Sequence, residues 1–277
     1  MKLHIIDTGF FKLDGGAMFG VVPKSIWQRT NPADEHNLIT LAMRCLLVES
    51  GNRLMLVDNG IGTKQDDKFL SHYHLHGNGS LHASLQKAGF SADDITDMFL
   101  SHLHFDHCGG SVARQNGKLA TTFQQARYWS NADHWRWATQ PNPREKASFL
   151  RENILPIQES GQLTFINPGD NFFPDTEIFY ASGHTEKMMI PMIRYKGRTV
   201  CFMADLLPTV GHIPLPYVMG YDTRPLLTLE EKSRFLNTAA DNQYVLFLEH
   251  DPDYECCTVK HTEKGVRLDV TFKLSDL

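Results

Sequence analysis

Four metal-ligating side chains fall within six residues in the stretch Ser101-His102-Leu103-His104-Phe105-Asp106-His107-Cys108-Gly109-Gly110. Residues 95–100, just before it, form a short apolar run that reads as a strand, so the ligands sit on the loop that leaves its carboxyl end. Loops at strand ends carry the chemistry of layered α/β folds, and this one sets where function is sought.

The rest of the chain repeats the arrangement. Residues 3–11 read as a first strand, and 38–48 with 53–57 as a hairpin turning at Glu49-Ser50-Gly51-Asn52. A helix over 81–88 ends at Gly89, and Ser91-Ala92-Asp93-Asp94 caps the next turn before strand 95–100, which is a βαβ crossover. Further on, a strand at 127–130 and helices at 131–138 and 144–154 are predicted, the last two separated by Pro141-Asn142-Pro143. Short strands follow at 163–166, 178–181, 188–195 and 199–204, with Lys196-Gly197 as a hairpin turn. Residues 208–225 are rich in proline and read as loop, 228–240 as a helix capped by Thr228 with Glu231 beyond it, and 244–248 as a strand. This is an α/β pattern, and with no shift of composition along it, residues 1–277 are expected to form one domain.

Several segments carry a bland and a functional reading. Asp14-Gly15-Gly16-Ala17-Met18-Phe19-Gly20 reads as a turn needing positive φ angles; it lacks the Gly-Lys-Ser/Thr ending of a phosphate loop, and its functional alternative is that Met18 and Phe19 line a pocket. His72-Tyr73-His74-Leu75-His76 alternates histidines but has no nearby carboxylate, and reads as an exposed loop. Trp129, Trp135 and Trp137 read as packing residues, and Cys108 as a small buried one. Asp58, closing strand 53–57, is either a plain turn residue or the acceptor that orients a ligand histidine.

Composition narrows the partners. A net charge of -5 with both signs mixed along the chain leaves no basic stripe, so nucleic acid is not expected and a small or neutral substrate is. No run approaches the roughly 18 apolar residues of a membrane span, and the first residues lack a signal-peptide core, so a soluble, unexported protein is expected. Cys45, Cys108, Cys201, Cys256 and Cys257 show no CxxC spacing, which fits the reducing cytoplasm.

His184, Asp205 and His250 each follow an apolar strand-like run, so all can meet the histidine loop on one rim. The loop cannot wrap a single ion with all four of its ligands but can divide them between two. The resulting assignment places His102, His104 and His184 on one ion, Asp106, His107 and His250 on the other, and Asp205 between them. Imidazole and carboxylate donors favour zinc and also accept iron, manganese, cobalt or nickel. Two divalent ions sharing a hydroxide would lower the pKa of water and polarise a carbonyl or phosphoryl oxygen, which is the apparatus of a hydrolase.

Ser-His-Leu-His-Phe-Asp-His-Cys-Gly-Gly at 101–110, with His184, Asp205 and His250 in order, resembles the metallo-β-lactamase superfamily over most of the chain. The resemblance implies a four-layer αβ/βα sandwich, two mixed β-sheets flanked by helices, with a dinuclear site at one edge. It also favours the orienting role for Asp58, since Leu56-Val57-Asp58-Asn59-Gly60 looks like the family's strand-ending Asp motif. Within the superfamily the chain looks most like the N-acyl homoserine lactonases and their esterase and phosphotriesterase relatives, where Phe105 and Met18 would help form an apolar pocket. Opening of a lactone, or cleavage of a related ester, by a dinuclear-site hydroxide is then expected, with Asp106 a ligand that could also take a proton. Some lactonases carry a Tyr three residues after the bridging Asp; here that position is Pro208, and Tyr221 or His212 is the candidate replacement as proton donor or orienting group. A homodimer is the assembly considered.

Three other activities stand beside this one. A glyoxalase II-type thioesterase shares the ligands but needs a basic pocket for its anionic substrate; aryl phosphotriesterase and mono-iron persulfide dioxygenase also keep the histidines. The superfamily's di-iron flavoproteins place a Glu where His104 stands and append a flavin domain, and its nucleases fit poorly with the acidic charge.

Overall fold

Cys45, Leu46, Leu47 and Val48 of strand β2 (Leu38–Ser50) and Met55, Leu56 and Val57 of β3 (Arg53–Val57) are consecutive and all buried, so both strands are covered on both faces. The computed structural model describes residues 1–277. Strand β1 (Lys2–Asp14) precedes these two, and β4 (Asp97–Phe99), β5 (Val112–Gln115), β6 (Lys118–Thr121), β7 (Arg127–Ser130), β8 (Leu163–Phe165), β9 (Thr176–Ala181), β10 (Met188–Tyr195), β11 (Arg198–Phe202), β12 (Val245–Phe247), β13 (Cys256–Thr262) and β14 (Gly265–Phe272) follow. The helices are α1 (Gly15–Phe19), α2 (Lys24–Trp27), α3 (Asp67–Ser71), α4 (Leu81–Lys87), α5 (Phe105–Cys108), α6 (Ala132–Thr139), α7 (Arg151–Glu159) and α8 (Pro225–Asp241).

The chain divides into two compact units. The first comprises Met1–Gly9, Met43–His72 and His76–Pro174. Its main sheet runs in the order β1-β2-β3-β4-β7-β8. β2 and β3 pair antiparallel, whereas β3, β4, β7 and β8 are parallel neighbours, the expected crossover passing through α4. The Ser80 side chain caps α4, and Ser91 and Asp94 form the expected capping box. Leu54, Leu56, Leu85, Met98 and Trp135 belong to one buried cluster. Because the strands are parallel, Asp58, Ser101 and Asn131 all leave the sheet at its carboxyl rim.

The second unit comprises Phe10–Ala42, Tyr73–Leu75 and Asp175–Leu277. Its sheet runs β14-β13-β12-β11-β10-β9, antiparallel except for β11 with β12. That one parallel pair delivers Asp205 and His250 from neighbouring strand ends. The β10–β11 turn is Lys196-Gly197, both at positive φ, as the sequence predicts. Helix α8 buries Thr228, Lys232, Phe235, Leu236 and Ala239, a stripe of helical period that packs on β13 and β14.

The structure departs from expectation at five places. The glycine-rich stretch is helix α1, capped by the Asp14 side chain on Ala17 N, and only Gly20 has positive φ. Gly15 is required for space instead: a Cβ there would lie 2.3 Å from the Trp27 ring. The helix expected over 144–154 is displaced to α7, because the Asn142 side chain accepts from the Arg144 and Glu145 amides and ties that stretch into a turn. Helix α8 begins at Pro225 rather than at a Thr228 cap, the proline serving at the first turn where its missing N–H does no harm. Two hairpins, β5–β6 and β13–β14, were not anticipated. The 72–76 stretch is an exposed loop as expected. No helix is long and apolar enough to cross a membrane, and all five cysteines are buried.

Candidate metal centre

In the first unit the ligand loop is short because it starts at the end of β4 and closes immediately into α5, whose first residues are Phe105, Asp106 and His107. The glycine pair that ends the stretch answers a close approach. A Cβ on Gly109 would lie 2.0 Å from Ile61 O, and one on Gly110 2.4 Å from Asn59 O. The loop is tied further by Leu103 N donating to His134 Nε2 at 2.9 Å and Phe105 N donating to Ser148 O at 3.0 Å. His102, His104, Asp106 and His107 are all buried. His102 Nε2 lies 3.1 Å from His104 Nδ1, and His107 Nε2 lies 3.8 Å from Asp106 Oδ2.

In the second unit Asp205 sits on a single turn after β11, and its carboxylate reaches two imidazoles: Oδ2 is 3.1 Å from His184 Nε2, and Oδ1 is 3.2 Å from His250 Nε2. The segment bearing His184 is anchored by Glu231, which accepts from the Ser182 and Gly183 amides at 2.8 and 2.9 Å. Gly183 is packed so tightly on α8 that a Cβ would lie 2.3 Å from Thr228 Oγ1. His250 and Ala42 exchange two hydrogen bonds, Ala42 N donating to His250 O and His250 Nδ1 donating to Ala42 O at 2.8 Å.

Four of the five histidines have one nitrogen turned toward another candidate ligand and an oxygen partner hydrogen-bonded to the second, and the fifth, His104, has the Glu145 carboxylate near its second nitrogen. His107 Nδ1 donates to Asp58 at 3.0 Å, His184 Nδ1 to Asp222 at 2.9 Å and His250 Nδ1 to Ala42 O. His102 Nδ1 lies 3.1 Å from Ser101 Oγ, which itself donates to Asp58, and His104 Nε2 lies 3.4 Å from Glu145. These hydrogen-bond partners fix the tautomers of His102, His107, His184 and His250, leaving a bare lone pair on the Nε2 of each. Burial works against charge on His184, yet Asp205 and Asp222 outweigh it and push the imidazole up to about 10, so the position calls for positive charge. The donor set therefore fits divalent metal.

The remaining candidates are placed as follows. Asp58, fully buried at φ 56, holds both His107 and Ser101. Met18, Phe19 and Phe105 are buried, and Phe19 is stacked between Trp27 and His212 at 5.3 and 4.3 Å, so it stiffens a wall and offers no surface. His212 donates through Nε2 to Met18 O at 2.9 Å and meets Thr209 Oγ1 through Nδ1 at 2.9 Å; burial pushes its pKa down to about 3. Both nitrogens thus serve the framework, and of the two residues expected to replace a tyrosine at Pro208, Tyr221 is the exposed one. Burial pushes the Cys108 thiol up to about 12, in keeping with a packing role. Sequence reasoning missed Glu145, Asp222, His134 and the carbonyl of Ala42. None lies in a motif; only the Asn142-Pro143-Arg144-Glu145 turn chemistry gave a local signal.

A profile of the metallo-beta-lactamase superfamily matches residues 44–250, well over half of the chain. An N-acyl homoserine lactonase of Bacillus cereus is 25% identical over 271 residues, spanning 92% of this chain and 94% of that protein. The crystal structure of a protein from Staphylococcus aureus described as a probable metal-dependent hydrolase is 28% identical, with a TM-score of 0.89 over 100% of this chain and 98% of that one. AidC, a dizinc quorum-quenching lactonase solved with a product, is 26% identical, with a TM-score of 0.80 over 99% of this chain and 97% of that one.

Proposed function

The chain belongs to the metallo-beta-lactamase superfamily and is a metallohydrolase with that fold, mixed sheets with flanking helices, and from this we propose that it opens a lactone ring or cleaves a related carboxylic ester at two divalent metal ions. The observation that carries the reading is a set of five buried imidazoles, four of them backed by a hydrogen-bonded oxygen, together with an Asp205 carboxylate that spans two of them. We take residues 1–277 as one domain, the family match running through both units.

In this reading His102, His104 and His184 would hold one ion and Asp106, His107 and His250 the other, with Asp205 shared between them. Zinc suits these donors and is the metal named for AidC. Bound there, two divalent ions would lower the pKa of water and polarise a scissile carbonyl. Asp106 takes up the proton released as the nucleophile adds, and Tyr221 orients or protonates the leaving oxygen. Met18 and Phe105 give the acyl part an apolar wall. Five buried cysteines with no CxxC spacing support a reducing compartment such as the cytoplasm.

The test is metal analysis of protein purified without chelator, joined to a substrate panel. Metal-dependent hydrolysis of an N-acyl homoserine lactone, lost on chelation and restored by zinc, is the expected result. Turnover of a glutathione thioester or an aryl phosphotriester with no lactone opening would overturn the substrate, and oxygen uptake with a persulfide would overturn the reaction class.

A further inference from the structure

Between Asp205 and α8 the chain runs through an irregular segment, residues 207–224, that carries Tyr221 and Asp222. Three of its carbonyls converge on one donor. Lys232 Nζ donates to Pro214 O at 3.0 Å, Leu215 O at 3.3 Å and Tyr217 O at 2.8 Å. An ammonium has three protons, and here three carbonyls receive them. Lys232 is 1% exposed on the inner face of α8. Lysine is almost never so buried unless paired, and no carboxylate lies at ion-pair distance from this one. Burial pushes it down to about 7, against the opposing pull of Asp222. An apolar side chain would fill the place without that penalty, so the ammonium is there for the carbonyls.

The neighbouring tethers show what they hold. Val210 N donates to Asp251, His212 to Met18 O, Gly220 N to Ala17 O and Thr223 N to His184 O. From 213 to 219 the only hydrogen bonds arriving from outside the segment are those of Lys232.

We propose that Lys232 is a positioning residue: its ammonium gathers the carbonyls of residues 214, 215 and 217 and thereby sets the places of Tyr221 and of Asp222, the acceptor behind His184. The Tyr221 arm rests on the hydrolase reading; the Asp222 arm does not.

Lys232→Met keeps the length of the side chain and removes the donors. Loss of these bonds should speed amide hydrogen exchange across residues 213–222 by about tenfold or more while α8 and the sheet keep their protection. Affinity for zinc, read by chelator competition, should fall by about tenfold as Asp222 loosens behind His184. With a lactone or ester substrate, kcat should fall more than KM changes, and Tyr221→Phe should cost less in the Lys232→Met background than in the wild type. Exchange and zinc affinity need no substrate, so they decide the matter even if the protein hydrolyses nothing offered. A folded Lys232→Met with wild-type exchange and zinc affinity would overturn the proposal. If that variant does not fold, Lys232→Ala with added propylammonium, which restores the missing atoms, replaces it: recovery of protection at 213–222 supports the role, and no recovery overturns it.

Discussion

Asp58 receives His107 Nδ1 at 3.0 Å from a backbone held at φ 56, a left-handed conformation that Asp and Asn tolerate better than most residues. The same carboxylate accepts from the Ser101 amide and hydroxyl, so one buried group sets both the start of the ligand loop and the tautomer of His107. Asp58→Ala should lower zinc affinity by about 10–100-fold, measured by chelator competition. Asp58→Asn keeps the backbone conformation and one acceptor, and should fall between the wild type and the alanine variant.

Asp205→Asn tests the bridge. One carboxylate oxygen becomes an NH₂ that has no lone pair to offer a metal, so the side chain can no longer present an oxygen ligand on both the His184 and the His250 side. Bound metal should drop below two ions per chain and turnover by about a hundredfold or more, the two falling together in elemental analysis and assay. Full turnover with metal lost would show that the reaction does not use this site.

Glu231→Gln tests how His184 is anchored. Glu231 accepts from two amides, Ser182 N and Gly183 N, and glutamine can accept from only one without turning its NH₂ toward the other. A buried N–H left without its acceptor costs about 1–3 kcal/mol, which urea unfolding would read directly. Unchanged stability would mean that the strand end is held by packing against Thr228 alone.

Lys64 gives a pH signature. It is buried, donates to Gly109 O behind the ligand loop, and burial pushes it from its ordinary 10.5 down to about 8. Below pH 8 both the folded and unfolded chains carry the proton, so this residue adds no pH dependence. Between 8 and 10.5 only the unfolded chain keeps it, so stability rises with pH by up to about 1.4 kcal/mol per unit. Lys64→Met should remove that rise, read as the difference between the two proteins in urea at pH 7.5 and about 9.5.

The candidate ligands were legible in the sequence because apolar runs end abruptly in His or Asp, and within each unit parallel strands carry such ends to the carboxyl rim of its sheet. Asp58 could be read for the same reason, as it closes β3. Backing groups could not. Glu145 is brought near His104 by an Asn142-nucleated turn where helical pattern predicted a helix, and Asp222 reaches His184 across 38 residues of chain. Helix boundaries failed where one residue outweighs a window: Asp14 caps a helix out of a run that looks like a flexible turn, and Pro225 starts α8 a turn before Thr228. His212 looked like a proton carrier because sequence shows the imidazole and hides Met18 O and Thr209, which occupy both of its nitrogens.

Tyr221 and Asp222 are consecutive, one exposed and the other backing His184. For a lineage of such proteins this adjacency channels change. Inserting or deleting residues between Pro214 and Tyr221 would shift the register of Asp222 and release the His184 imidazole in front of it. Substitutions that keep the length of the segment leave that register alone. Divergence in substrate preference among descendants of this chain should therefore accumulate as side-chain replacements on a segment of constant length, with length variation displaced to loops such as 72–80 that hold no ligand.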